Sequence, residues 1–260
     1  MQYKYAKEQL DYSDFSSGRV FYSLPGHPAF PVRLASEIFQ RCLNWRETSY
    51  HVSTPCTLYD PCCGAAYHLS IVAYLHREHI REVIASDIDE KAIAMARRNL
   101  GLLSMEGLET RIEEISSMFK QYGKDSHKDA LKSASMLKKK LAILDEDHPI
   151  ETRAFQANAV DGREISNNIK PKSVDIVFTD VPYGQHSLWR DSDSRELSNP
   201  LGQMLEALTG ILSPYGIIAI ASDKSQKAQH AGYQRLEHFQ IGKRRIVILK
   251  LSGADPTLQF

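Results

Sequence analysis

The chain has 260 residues, with 32 basic side chains balanced by 32 acidic ones, and a pI near 7.1. At ~150 residues per domain this length allows one large domain or two small ones, able to bury about three quarters of the unfolded surface without a disulfide or metal staple. No apolar run approaches the ~20 residues of a membrane helix, and the first eight residues, Met1 to Glu8, lack the apolar core of a signal peptide. The expectation is a cytoplasmic protein that binds no membrane. The four cysteines, Cys42, Cys56, Cys62 and Cys63, do not have the C-x-x-C spacing of a zinc site, so free thiols and no metal are expected.

In chain order, a turn-rich stretch from Ser23 to Pro31 precedes a helix from Val32 to Leu43, and residues 1–50 form an N-terminal helical extension. A short strand, Thr57 to Tyr59, ends at Asp60-Pro61 and leads to a helix from Tyr67 to His79. A second strand, Glu82 to Ser86, ends at Asp87 and is followed by a helix from Glu90 to Leu103. Residues 104–150 are an inserted segment, polar and helix-favouring from Ser104 to Asp147. It is too long for an ordinary connection, and is either a helical subdomain or a mobile loop. Further strands are expected at Ala154 to Ala157, Ser173 to Thr179 and Gly216 to Ala221, with a helix from Leu201 to Leu212. Strands alternating with helices imply a parallel sheet covered on both faces. The C-terminal part breaks that rhythm: Tyr233 to Ile241, a turn at Gly242-Lys243-Arg244, then Arg245 to Leu251 predicts an antiparallel hairpin.

Three strand ends carry chemistry. The first opens into Asp60-Pro61-Cys62-Cys63-Gly64-Ala65-Ala66, a small-residue loop that lets backbone N–H groups approach a ligand. Neither G-x-G-x-x-G nor a P-loop is present, which argues against NAD enzymes and P-loop enzymes. Asp87 closes the second strand, where a carboxylate can accept from both hydroxyls of a ribose, while Asp89 is placed to cap the next helix. The fourth strand ends in Thr179-Asp180-Val181-Pro182-Tyr183-Gly184, which resembles the Asp/Asn-Pro-Pro-Tyr motif of S-adenosylmethionine-dependent methyltransferases acting on planar amines. An aromatic amine has its lone pair delocalised into the ring. Acceptors at the Asp180 carboxylate and the Val181 carbonyl would localise that pair and aim it, with Pro182 stiffening the turn and Tyr183 offering a stacking face. Together these features imply an α/β fold of the class I, Rossmann-like methyltransferase type: a seven-stranded, mostly parallel sheet ending in an antiparallel hairpin, with N-terminal helices and a helical insertion in one domain spanning 1–260.

The string Ser23-Leu24-Pro25-Gly26-His27-Pro28-Ala29-Phe30-Pro31-Val32-Arg33, with Asp60-Pro61-Cys62-Cys63-Gly64, Val83-Ile84-Ala85-Ser86-Asp87 and Thr179-Asp180-Val181-Pro182-Tyr183-Gly184, resembles the avilamycin-resistance 23S rRNA methyltransferases (AviRa type). The resemblance runs from about Ser13 to Leu251 and implies S-adenosylmethionine as cofactor. It further implies 23S rRNA or the large ribosomal subunit as partner, a guanine as target on its exocyclic N2, and protection against orthosomycin antibiotics. It assigns Phe30 and Arg33 to the methionine end of the cofactor, Asp60 to its amino group and Gly64 to the adenosyl portion. Cys62, Asp87, Ile88, Asn158 and Asp180 complete the cofactor set. The family loop has Gly-Ser-Gly where this chain has Gly64-Ala65-Ala66, so cofactor affinity is in question. Asn158 stands where the family has an Asp.

Neutral overall charge conceals local fields. Lys120 to Lys140 contains seven lysines against Asp125 and Asp129, and Lys243-Arg244-Arg245 is a second basic group. On the rRNA reading, Lys124, Lys128, Lys132, Lys138, Lys243 and Arg244 hold phosphates, and Trp189 and Arg190 contact RNA near the target base. A monomer is expected. The amine motif alone also permits a methyltransferase of DNA adenine, protein glutamine or a small molecule. A relative that binds RNA but has lost the cofactor is a third possibility.

Overall fold

The computed structural model describes residues 3–25, 28–144, 148–181, 199–224 and 226–253. The chain begins with a 3-10 turn at Ser13–Phe15 and helix α1 (Val32–Tyr50). There follow β1 (Cys56–Asp60), α2 (Tyr67–Leu75), β2 (Ile80–Asp87), α3 (Glu90–Gly101), α4 (Met105–Tyr122) and α5 (Asp125–Leu144). The second half runs β3 (Glu151–Gln156), α6 (Gly162–Ser166), β4 (Val174–Asp180), α7 (Pro200–Thr209), β5 (Leu212–Ser222), β6 (Tyr233–Ile241) and β7 (Arg244–Leu251). Seven strands form one sheet in the order β3-β2-β1-β4-β5-β7-β6. β1 to β5 are parallel to their neighbours, while β7 runs antiparallel to both β5 and β6. This is the expected architecture, with every anticipated strand present.

Alternation along each strand explains why both faces are covered. Leu58, Val83, Ile176, Phe178, Ala219 and Ile248 point to the face packed by α1, α2, α3 and the insertion. Their neighbours Tyr59, Ile84, Val177, Ile218, Ile220 and Val247 join the cluster with Ile165 of α6 and Met204, Leu205 and Leu208 of α7. Each fully buried Leu, Ile, Val, Phe or Met among them contributes about 1.5–3 kcal/mol.

The amino end of the sheet is closed by a polar knot. Asp175 accepts from the Thr57 N–H at 2.9 Å, from Ser213 Oγ at 3.1 Å and from Arg81 Nη2 at 2.7 Å, with Arg46 Nη2 at 3.6 Å. Arg46, at 1% exposure, thereby ties α1 to a cluster drawn from four strands, β1, β2, β4 and β5. A second anchor is Glu37, fully buried, whose carboxylate accepts the backbone N–H groups of Lys4, Tyr5 and Ala6 at 2.7, 2.8 and 2.7 Å.

The 104–150 insertion is two helices. Ser104 caps α4 by accepting from the Gly107 N–H, and Gly123 ends it at φ 62°, a left-handed position that glycine adopts without strain. α5 begins two residues later, and Lys138 Nζ pairs back with Glu109 at 2.6 Å, so the helices form an antiparallel hairpin. Its inner face clamps the segment before α1: Arg111 donates to the carbonyls of Val20 and Arg19, and Arg19 Nη1 reaches Ser133 Oγ at 3.4 Å. The Tyr22 ring lies between the guanidinium groups of Arg98 and Arg111, at 3.9 and 4.1 Å. No helix among the described residues is long and apolar enough to cross a membrane.

Candidate active site

Parallel strands deliver their carboxyl ends to one edge of a sheet. Asp60, Asp87 and Asp180 are the last residues of β1, β2 and β4, which are neighbours in the sheet. A hollow beside this edge is lined by Tyr22, Ala29, Phe30, Gly64, His68 and Asp180 among others.

Asp60 is fully buried. Its Oδ1 accepts from the Cys62 N–H at 2.9 Å, and its Oδ2 lies 3.2 Å from His68 Nε2. Burial holds the carboxyl well above its ordinary range, and Asp87 and Asp180 add repulsion. His68 is driven down to about 4 by burial, with Arg244 adding to the effect and the Phe178 carbonyl opposing it; near neutral pH it is an uncharged donor. The three acids therefore form a site short of positive charge.

The loop between β1 and α2 follows from its small residues. Gly64 has φ 52°, and its N–H donates to Asp87 Oδ2 at 2.8 Å. Asp87 Oδ1 accepts from the Asp89 N–H at 3.0 Å. Asp89 caps α3 through Lys91 N, the helix-start role expected of it from the sequence. Ala66 is the N-cap of α2 at φ 51° and supplies no side-chain acceptor to the first turn. Its methyl is buried in the core, whereas Ala65 lines the hollow. Any steric effect of the Gly64-Ala65-Ala66 loop on a ligand thus falls on Ala65.

At the far side, the Ala157 N–H donates to the Asp87 carbonyl at 3.1 Å, which brings Asn158 beside Asp87. Ile88 is 56% exposed, an uncovered apolar side chain next to this edge. Cys62 is half-buried and Cys63 buried, both with thiols pushed well up by burial and by the adjacent acids, so neither is a nucleophile here.

These residues fit S-adenosylmethionine. A buried carboxylate at Asp60 suits its ammonium, Asp87 its ribose hydroxyls, Ile88 and Asn158 its adenine, and the excess of acid its positive charge. Phe30 stands at this hollow, 4% exposed and edge-on to Phe178. Arg33 does not turn toward it: its guanidinium donates to the carbonyls of Ala6 and Lys7 and covers the Tyr3 ring at 4.0 Å.

Asp180 has its carboxyl raised by burial, with Arg244 opposing. Val181 continues the strand pairing, donating its N–H to the Ala221 carbonyl at 3.0 Å. Pro182, Tyr183, Trp189 and Arg190 lie outside the described residues. Arg244 was expected among the phosphate contacts of the hairpin. Its Nη2 instead lies 3.4 Å from Asp180 Oδ2, with Cζ 4.8 Å from the Phe30 ring centroid. The reason is topological: antiparallel β7 starts at the edge where the parallel strands end, with Arg245 paired to Ser222. No sequence signal separated Arg244 from Lys243, which is exposed at the turn. Of the insertion lysines, Lys124 and Lys128 are exposed, Lys132 pairs with Asp129 at 3.1 Å, and Lys138 is occupied by Glu109. No group of three or more His, Cys, Asp or Glu side chains among the described residues is arranged to hold a metal.

Comparison with known proteins agrees with this geometry. The family model described as rRNA methyltransferase AviRa matches residues 1–244. The 23S rRNA (guanine(2535)-N(1))-methyltransferase of Streptomyces viridochromogenes is 37% identical over 248 residues, covering 95% of each chain. Two solved structures of the rRNA methyltransferase aviRa from the same organism have a TM-score of 0.83. One is 36% identical and covers 98% of both chains, and the other is 35% identical over 100% of both. On these matches, the chain belongs to the AviRa family of rRNA methyltransferases.

Proposed function

We propose that this enzyme methylates a guanine of 23S rRNA on the Watson–Crick edge of the base, at N1. The observation that carries the reading is Asp180. Its Oδ1 is buried without a partner among the described residues, at the strand end where the amine motif stands. Guanine presents N1–H and N2–H side by side, so one carboxylate and the adjacent Val181 carbonyl serve either nitrogen. The sequence pattern, which suits exocyclic amines, pointed to N2. The 37% identical relative is named as an N1 enzyme, and a base-like Asp180 accords with a nitrogen that must lose a ring proton.

When bound, S-adenosylmethionine supplies an electrophilic methyl group on a sulfonium. Asp60 holds the ammonium end, Asp87 the ribose and Asn158 the adenine edge. Asp180 accepts the guanine N1–H, and its raised carboxyl lets it take the proton as N1 gains the methyl. Val181 holds the second N–H, and Tyr183 stacks on the base. Lys124, Lys128 and Lys243 attract rRNA phosphates, with Trp189 and Arg190 contacting RNA beside the target. Such an enzyme works where ribosomes are made, in the cytoplasm, and its product would protect against avilamycin.

The test is incubation of the full chain with labelled S-adenosylmethionine and unmodified 23S rRNA or large subunits, followed by nuclease digestion and mass spectrometry of the nucleosides. 1-Methylguanosine is the expected product. 2-Methylguanosine would move the acceptor to N2, and methylated adenine or unlabelled RNA would overturn the reading. Expression in a sensitive host should raise avilamycin tolerance with the wild-type chain and not with Asp180→Asn.

A further inference from the structure

Arg244 and Asp180 approach through one contact of 3.4 Å, and each side chain is 18% exposed. A guanidinium carries five donors in a planar fork, and this contact uses one of them. Arg244 Nε is buried and has no partner among the described residues, and the same holds for Asp180 Oδ1. A cation and an anion thus stand next to each other, each with an unsatisfied atom, at the strand end proposed to take the base. The Phe30 ring, itself packed against Phe178 and His68, supports the guanidinium plane.

On the N1 reading, on which this rests, the base must change charge during reaction. As N1–H passes its proton to Asp180 Oδ1, the negative charge left behind is shared between N1 and the neighbouring carbonyl oxygen O6. N1 then takes the methyl group, the sulfonium becomes a thioether, and the base returns to neutrality. A donor fixed beside O6 stabilises that passing charge, and does so best where water is scarce. We infer that Arg244 is a catalytic residue that donates to guanine O6 and stabilises the charge developing there while Asp180 removes the N1 proton.

The experiment compares wild type, Arg244→Ala and Arg244→Lys on the 23S rRNA transcript between pH 6.5 and 9.5, at two salt concentrations, with product identity checked in each case. Expected for Arg244→Ala is a kcat about 100-fold or more below wild type at pH 7, with KM for RNA little changed. That deficit should narrow as pH rises, because hydroxide takes over removal of a proton that the enzyme no longer helps to release. Arg244→Lys, which keeps the charge, should recover part of the rate. A raised KM with unchanged kcat and a reduced salt slope would mark a phosphate contact and overturn the inference. A kcat deficit constant across pH would also overturn it, leaving Arg244 a prop for Asp180. If wild type makes no 1-methylguanosine, the parent reading fails first, a result distinct from either.

Discussion

Asn99 Nδ2 donates to the carbonyl of Ala65 at 2.8 Å and to that of Tyr22 at 3.0 Å, while Asn99 Oδ1 accepts the Tyr22 N–H at 2.8 Å. This one fully buried side chain on α3 joins the cofactor loop to the segment clamped by the insertion. Asn99→Leu keeps the volume but strands two carbonyls and an N–H, each costing about 1–3 kcal/mol when buried. Melting should fall by several degrees, and S-adenosylmethionine should bind about tenfold or more weakly by calorimetry. Wild-type affinity in a destabilised variant would show that the loop holds its shape without Asn99.

One buried and one half-buried histidine set an acid limit on the fold. His68 and His76 titrate at about 4 where an ordinary imidazole titrates at 6.5, burial being the main cause in both. Above pH 6.5 neither state carries the proton and there is no effect. Below it the unfolded chain is protonated while the fold resists until about 4, so stability declines through that window. The decline is about 2 kcal/mol per histidine at pH 5. Urea midpoints at pH 7.5 and 5 should show it, and His76→Phe should show roughly half.

The sheet's two ends separate stability from chemistry. Asp175→Ala at the amino end leaves Arg46 buried without its anion and should cost about 3–5 kcal/mol, with cofactor affinity intact at temperatures where the variant is folded. Asp180→Asn at the carboxyl end should reduce methyl transfer about 100-fold or more while melting stays level or rises, since burial disfavours the ionised carboxylate there. Calorimetry paired with transfer assays checks both, and a large melting loss in Asp180→Asn would contradict the division.

Ala66 holds a left-handed conformation at φ 51°, which costs an L residue about 1–2 kcal/mol. Its methyl, however, is buried in the core. Ala66→Gly relieves the strain but gives up that packing and adds chain entropy, so the net change should lie within about 1 kcal/mol. Cofactor affinity should be unaltered, whereas Ala65→Val, which enlarges a residue lining the hollow, should weaken it.

The strands and the three acids were legible because a parallel sheet writes itself as apolar runs, and because Asp60, Asp87 and Asp180 each terminate one. The insertion was legible as helix, but its inner face was not. Lys138 looked like part of a basic field until α4 brought Glu109 to it. The short α6 carries too few residues for a 3.6 period to appear. Arg33 and Arg244 show the main failure. Both were named from the motif or charge run around them, yet their partners, Ala6 and Asp180, lie 27 and 64 positions away. Only the assembled sheet and the folded-back N-terminal segment around Ala6 bring those partners together.

The turn between β6 and β7 is two residues long, Gly242 and Lys243, closed by the pair Ile241 and Arg244. Side chains alternate faces along a strand, and β7 is held in register by its six pairs with β5, from Ile217 and Lys250 to Ser222 and Arg245, which sets the face on which Arg244 lies. The β5–β7 register thus works as a ruler that fixes which arginine of the basic triplet meets Asp180, two strands away on β4.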